Sequence, residues 1–432
     1  MSEAGLAAKL PRRGRIVTWN QQDGCKSSIL FLTDNFLPHA GGARVYYFNL
    51  YKQLAMHFGT QVTVLTKKTR DWQDFDRRHS TEAFRIVRRL KPLKSWKYLE
   101  LPKGLMPMLE AAYRVHHDGV DVVHFGDLYP PGLISMALHY AFGVPYLAYC
   151  HGEEVTLTDR FRYQPKVRDQ IYHRAQIVVA ANEFARENLR RIGIPDSRIR
   201  KILPGVDCER FRPLPRSSVL ATKFALDQKL VLLSVARLCA RKNHRAVLRA
   251  LAKLKNDYRN VVYLIVGEGE EQDSLGKLTA ELGIGAMVRF VGYVPEDELP
   301  DYYNLADVFV LANREEANGD VEGFGMVFLE ANACGKPVVA GLSGGTREAV
   351  VHGSTGMLIN PDDVQELTAA LRLLLADAKA RQHMGEEGLR RARSEFSWMR
   401  SAEALHAANQ EIMSMRQHAR LNRNPTTSAH GL

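Results

Sequence analysis

Glu322 and Glu330 stand eight positions apart across the turn Glu322-Gly323-Phe324-Gly325, and an apolar run over 326–334 follows. Gly323 and Gly325 permit a tight loop whose backbone a ligand can approach closely. The run has the length and composition of a short helix, with Gly335 as its stop and Pro337 barring continuation. Glu322 then lies on the loop before the helix and Glu330 inside it. The unpaired N–H groups of the first turn point at whatever occupies the space between. Those N–H groups and the helix dipole attract phosphate. Two carboxylates nearby repel it unless they address hydroxyls, and sugar or ribose hydroxyls fit that description. Standing alone, the same spacing also describes an ordinary amphipathic helix behind a glycine turn.

Basic residues supply what the carboxylates lack. The run 230–236 reads as a buried parallel strand that passes directly into Arg237-Leu238-Cys239-Ala240-Arg241-Lys242-Asn243-His244. Asn243 is placed as an N-cap, and apolar residues then recur at Ala246, Val247, Ala250, Leu251 and Leu254, which is helical spacing. Arg237 and Lys242 therefore flank a strand-to-helix crossover at the carboxyl end of a strand, where open α/β sheets bind ligands. The plainer alternative is a solvated basic loop.

These two segments carry a family resemblance. The first resembles the E-x7-E motif of retaining glycosyltransferases with the GT-B architecture, family 4 in particular. The second is similar to that family's G-R-L-x-x-x-K-G element, with Ala236 and Asn243 where glycines are usual. Further matches follow in order. A first strand over 28–33 leads into Asp34-Asn35-Phe36-Leu37-Pro38-His39-Ala40-Gly41-Gly42 and a helix over 43–56, similar to the family's N-terminal glycine-rich loop. His151-Gly152-Glu153-Glu154, after a strand over 145–150, resembles H-G-x-E. Residues 201–213 resemble the stretch before the domain linker, without its usual Asn. Glu348 and the turn at 352–356 complete the pattern.

The resemblance implies an α/β fold of GT-B architecture, two Rossmann-like doubly wound parallel-sheet domains facing a central cleft. It implies roles as well. Glu322 binds donor-sugar hydroxyls and Glu330 the nucleotide ribose; Arg237 and Lys242 bind the donor diphosphate. Phe324, Gly325, Met326 and Val327 offer backbone contacts to the donor, Gly41 and Gly42 offer N–H groups to an anion or a sugar oxygen, and His151 lies at the donor sugar. The donor is a nucleotide-diphosphate sugar, GDP-mannose or a UDP-hexose, and the acceptor a glycan or lipid-linked saccharide. Members of this kind proceed by front-face displacement with no dedicated base and no cofactor or metal. The alternatives are a catalytically silent nucleotide-sugar-binding scaffold, a related sugar-nucleotide synthase or epimerase, or a nucleic-acid binder.

Length and composition fit two domains. At 432 residues the chain exceeds one compact domain, and 45% hydrophobic with 25% charged residues is ordinary for a globular protein. The expected organisation is an N-terminal acceptor domain over 28–212, a C-terminal donor domain over 213–395, a helix over 396–416 packing back on the first domain, and a disordered tail over 417–432. No apolar run reaches membrane-spanning length, and residues 1–24 carry no apolar segment of signal-peptide length. The expected location is the cytoplasm, with association to the inner face of the plasma membrane. Five scattered cysteines form no C-x-x-C pair and read as small apolar fillers.

The formal net charge is +11. No zinc finger, RNP-type sheet motif or basic zipper accompanies it, so nucleic acid is not expected as a partner. Basic residues interleaved with Phe84, Trp96 and Tyr98 between Arg77 and Lys103 suit peripheral contact with an anionic membrane. Three other segments read as decoys. Gly267-Glu268-Gly269-Glu270-Glu271 is too acidic for a pyrophosphate. Asp74-Phe75-Asp76 has a D-x-D form but lies in a polar stretch and reads as a solvated face. Asp320-Val321-Glu322 has the form of a cation ligand, yet Glu322 is already assigned to the sugar.

Overall fold

In the computed structural model the described residues are 27–38, 41–90, 101–156 and 164–423. Among the described residues thirteen strands form two sheets. The first holds β1 (Ser28–Leu32), β2 (Gln61–Lys67), β3 (Phe84–Leu90), β4 (Val122–Phe125), β5 (Tyr146–Cys150), β6 (Ile177–Ala180) and β7 (Ile199–Lys201). The second holds β8 (Leu230–Val235), β9 (Val261–Val266), β10 (Val288–Gly292), β11 (Val308–Leu311), β12 (Val338–Gly341) and β13 (Gly356–Ile359). Their orders are β3-β2-β1-β4-β5-β6-β7 and β10-β9-β8-β11-β12-β13. All pairings between these strands are parallel, with Ile29 opposite Val122 and Val308 opposite Leu232.

The strand sequences explain the layers. Successive residues of a strand point to opposite faces, and here both faces are apolar: Val231 and Leu233 enter one core cluster while Leu232 enters another. Ile29 and Phe31 divide from Leu30 and Leu32 in the same way. A strand apolar on both faces must be covered by helices on both, which is the doubly wound arrangement expected from the sequence.

Each sheet has one place where the strand order turns from one direction to the other, between β1 and β4 in the first and between β8 and β11 in the second. Ligands of such sheets bind outside the carboxyl ends of the strands at that switch point. Residues Thr33 to Pro38 leave β1, Gly126 and Asp127 leave β4, Arg237 to Lys242 leave β8, and the loop bearing Glu322 leaves β11. Topology therefore delivers the chemistry-bearing residues to the ligand-binding edge of each sheet.

Helix Trp398–Arg423 returns to the first sheet. Trp398, Ala402, Leu405, Ala408 and Ile412 share a core cluster with Ile29, Phe31 and the buried face of helix Gly42–His57. Asn409 Oδ1 meets His124 Nε2 at 2.9 Å, and Arg416 donates to the Asp121 carbonyl at 2.9 Å. The helix continues to Arg423, seven residues beyond the end expected from the sequence; residues 424–432 and the N-terminal 26 lie outside the described residues.

Two readings require correction. In Asp74-Phe75-Asp76 only Asp74 is solvated. The segment lies in helix Trp72–His79 with Phe75 and Asp76 buried, and Asp76 pairs with Arg88 at 2.8 Å. Arg88 also donates to the carbonyls of Leu37 and Lys67, so the acidic side chain neutralises a buried guanidinium. Arg88 is thereby withdrawn from the basic surface. Lys91, Lys94, Trp96, Lys97 and Tyr98 of that surface lie outside the described residues. Asn243 precedes helix His244–Leu254 but does not cap it with its side chain, which donates to the Pro361 carbonyl at 3.0 Å. Its φ of 52° is left-handed, which explains why a glycine is at home here and why Asn, tolerant of that region, replaces it.

Candidate active site

Glu322 is the centre of the constellation. The loop after β11 buries it to 8% exposure, and its Oε2 accepts from Lys242 Nζ at 2.5 Å, Arg241 Nη1 at 2.8 Å and Asn313 Nδ2 at 2.6 Å. Burial on its own raises the carboxyl pKa; Lys242 and Arg241 outweigh it and hold the group below the usual carboxylate range, hence ionised. Arg241 is shared with Asp320 at 3.2 Å. A carboxylate ringed by cations is preorganised: it keeps its charge without water and cannot rotate away.

Lys242 and Glu322 are thus brought into contact. An ammonium has three protons, so Lys242 retains donors after engaging Glu322. Arg237 touches neither. It is exposed just past the carboxyl end of β8, and as a guanidinium it carries a permanent charge. Glu330 stands apart from the Glu322 cluster, in helix Met326–Ala333, accepting from Tyr303 Oη at 2.5 Å. Burial pushes its carboxyl up to about 7 against the pull of the Tyr303 hydroxyl and Arg210.

The turn behind this helix behaves as the glycine pattern demands. Gly325, the residue before the helix, has φ 86°, and a Cβ there would sit against the Phe328 ring at 2.4 Å. The Phe324 side chain is buried against Phe396, so its backbone alone is available to a ligand. Met326 and Val327 open the helix and are partly buried. Gly42 begins helix Gly42–His57 in the first sheet's half, with Gly41 before it, and a Cβ on Gly42 would lie 3.8 Å from Met326 Cε. The two glycine turns, nearly three hundred residues apart in sequence, consequently face each other.

His151 follows β5. Tyr47 Oη donates to the Gly126 carbonyl at 2.7 Å, and a hydroxyl has one proton, so at 2.7 Å from His151 Nε2 it accepts. The proton is then on Nε2, and Nδ1 carries the lone pair. Burial lowers the His151 pKa, with Glu153 opposing, and the ring is neutral. Glu154 Oε2 accepts from the His151 and Gly152 backbone N–H groups at 2.8 and 3.0 Å. Asp127 fixes the neighbouring loop, accepting from Thr33 Oγ1 and Asp34 N, each at 2.6 Å. Burial and the nearby Asp127 raise Asp34 to about 6.

The sequence reading missed several members of this site. Arg241 sits within the recognised basic element, but the motif gives it no role. Asn313 carries no local signal at all. Asn182 signals only as a helix cap, which it is, accepting from Ala185 N at 2.6 Å; its Nδ2 donates to the His151 carbonyl at 3.3 Å and to the Gly323 carbonyl.

Known proteins bear on this geometry. The chain matches the family model for Glycosyltransferase Family 4 over residues 40–210 and that for Glycosyl transferases group 1 over residues 221–391. It is 30% identical over 394 residues to the GDP-mannose-dependent alpha-(1-6)-phosphatidylinositol monomannoside mannosyltransferase of Mycolicibacterium smegmatis, covering 91% of this chain and 100% of that one. It is 30% identical over 402 residues to a D-inositol 3-phosphate glycosyltransferase of Corynebacterium jeikeium, covering 86% and 92%. The crystal structure of Anabaena HepE in complex with UDP shares the fold, with a TM-score of 0.75 at 20% identity over 89% of this chain and 100% of that one. Full-length likeness at this identity, on a shared two-sheet architecture, makes the chain a member of glycosyltransferase family 4 and an enzyme of glycosyl transfer.

Proposed function

We propose that the chain transfers a hexosyl unit, mannosyl favoured over glucosyl, from a nucleotide-diphosphate sugar to a hydroxyl of a glycan or lipid-linked saccharide, with retention of anomeric configuration. The observation that carries this is the contact between Lys242 and Glu322 at the switch point of the second sheet. It joins a cation suited to a diphosphate with a carboxylate suited to hydroxyls. GDP-mannose is the favoured donor because the mycolicibacterial relative named above uses it; a UDP-hexose is the alternative.

The chemistry divides among the residues as follows. The bond from the anomeric carbon to the diphosphate oxygen breaks, and its electron pair leaves with the phosphate. Arg237, Lys242 and the N–H groups opening helix Met326–Ala333 offset the charge that develops there. Glu322 holds sugar hydroxyls and Glu330 the ribose. The acceptor oxygen bonds to the anomeric carbon from the same face, and its proton passes to the departing phosphate oxygen, so no separate base is assigned. His151 contacts the sugar through its neutral ring. No metal is assigned, since Arg237 and Lys242 provide the positive charge.

We assign the acceptor to the N-terminal half and the enzyme to the cytoplasmic face of a membrane. Among the described residues no helix is long and apolar enough to cross a bilayer. Exposed Leu109 and Tyr113 on helix Leu101–His117 and exposed Tyr140 and Phe142 on helix Leu133–Phe142, with Arg174 over the Tyr140 ring, support peripheral contact with anionic lipid. Incubation of the purified chain with GDP-mannose or UDP-glucose and a phosphatidylinositol-containing lipid extract tests the proposal. The expected result is a glycosylated lipid whose new linkage is axial at the anomeric carbon like the donor; absence of turnover with both donors sinks it in favour of a silent binding scaffold.

A further inference from the structure

Thr156 and Asn182 belong to the half of the chain built on the first sheet, yet each bonds a carbonyl of the loop that carries Glu322. Thr156 Oγ1 lies 2.9 Å from the Gly319 carbonyl oxygen, and Asn182 Nδ2 donates to the Gly323 carbonyl. These carbonyls bracket Glu322, three residues before it and one after. Asn182 is fully buried and uses its whole amide: the oxygen caps helix Glu183–Arg191, and the nitrogen joins the His151 backbone to the Glu322 loop. A side chain at residue 345 would run into the Gly323 carbonyl and come within 2.9 Å of Asn182 Nδ2; the residue there is Gly345. Beside it, the Glu348 carboxylate accepts from Glu183 N at 2.5 Å and Lys201 Nζ at 2.8 Å, pinning the same helix tip from the second half.

The bracketed loop is soft by composition. Gly319 and Gly325 both adopt left-handed φ, and Gly323 lies between them, so the loop has more conformations to lose than most. Both carbonyls are partly buried, and at each end of the Glu322 segment the donor that reaches them is a side chain of the other half. The backbone that carries Arg237 and Lys242 has no such dependence, since β8 and its crossover belong wholly to the second sheet; only the Lys242 ammonium, through Glu322, touches the clamped loop.

We propose that Asn182, assisted by Thr156, is a positioning residue for glycosyl transfer: the N-terminal half clamps the Glu322 loop into the shape that receives the donor sugar. Sugar binding and the juxtaposition of the two halves are then one event, whereas the nucleoside diphosphate binds to the second half alone. This rests on the donor-sugar reading of Glu322.

Asn182→Asp isolates the clamp. Aspartate caps a helix as well as asparagine does, so the cap survives, while both N–H donations are replaced by an anion facing two carbonyls. Hydrogen exchange is measured at pH 8 on the full chain without ligand, with Thr156→Val as the second variant. Peptides within 313–325 exchange at least fivefold faster in Asn182→Asp, and in the same direction but less in Thr156→Val, while 183–191 keeps its protection. Unchanged exchange at 313–325 in both variants overturns the clamp, whatever the protein binds. Calorimetry with GDP, GDP-mannose, UDP and UDP-glucose then reads the sugar. In Asn182→Asp the affinity for the nucleoside diphosphate holds, and the gain from the attached hexose falls at least fivefold. A retained gain in that variant also overturns the proposal. A wild-type chain that binds none of the four overturns the donor reading instead, and leaves the exchange result to decide the clamp.

Discussion

Replacing Glu322 by alanine removes the acceptor of three hydrogen bonds, two of them from cations. A hydrogen bond to a charged group contributes about 1.5–3 kcal/mol, and stranding a buried charge costs about 3–5 kcal/mol. The upper figure does not apply here. Arg241 keeps Asp320 at 3.2 Å, and the Lys242 side chain is 13% exposed, so its ammonium can turn toward water. We therefore expect a loss of about 3 kcal/mol from Glu322→Ala together with loss of glycosyl transfer. The fold-neutral mutant that an exposed sugar-binding carboxylate would give is not expected. The assay is urea denaturation of the wild type, Glu322→Ala, Lys242→Ala and the double variant. Once Glu322 is gone, removing Lys242 relieves a stranded cation, so the double variant is more stable than the sum of the two single losses by about 1.5 kcal/mol or more. Strict additivity, or a Glu322→Ala protein as stable as the wild type, would refute the buried ion-pair hub.

Other expectations follow from the same geometry. Arg237→Met and Lys242→Met each weaken binding of the nucleoside diphosphate about tenfold or more, one charge-assisted contact being lost; calorimetry with GDP and UDP measures it, and unaltered affinity in both removes the diphosphate role. The Glu330 carboxyl titrates near 7 in the folded chain and accepts from ribose hydroxyls more strongly when ionised, so donor KM falls as pH rises from 6 to 8, and Glu330→Gln flattens that profile. Because the folded pKa is raised above the usual 4.5, the same group makes stability decline as pH rises from about 4.5 to 7, a slope that Glu330→Gln also removes. Asp76→Ala strands Arg88, whose side chain is 1% exposed, and costs about 3–5 kcal/mol in thermal or urea unfolding without altering donor affinity.

What the sequence disclosed and what it concealed divide along physical lines. Lys242 and Glu322 were readable because each lies in a short segment whose strand, glycine turn and helix are local. The strand read over 230–236 was legible for the same reason, being an uninterrupted apolar run, and β8 occupies it. Arg241, Asn313 and Asn182 were not, since their importance lies in partners 81, 9 and 141 residues away that only the tertiary fold brings near. Asp76 misled because polar neighbours imply a wet surface, while its actual partner, Arg88, arrives on the edge strand β3 and buries both charges. Asn243 sits where an N-cap belongs, yet its left-handed backbone sends its amide to Pro361.

In the proposed function the second half of the chain grips a nucleoside diphosphate through Arg237, Lys242 and a helix tip while Glu322 holds the attached hexose. Titration calorimetry with GDP-mannose, UDP-glucose, UDP-N-acetylglucosamine and ADP-glucose, each on the wild type and on Glu322→Gln, tests it most directly. One of the sugar nucleotides is expected to bind the wild type more tightly than its nucleoside diphosphate does, and Glu322→Gln to abolish that difference. Equal affinity of sugar nucleotide and nucleoside diphosphate in the wild type, or a difference that survives Glu322→Gln, would contradict it.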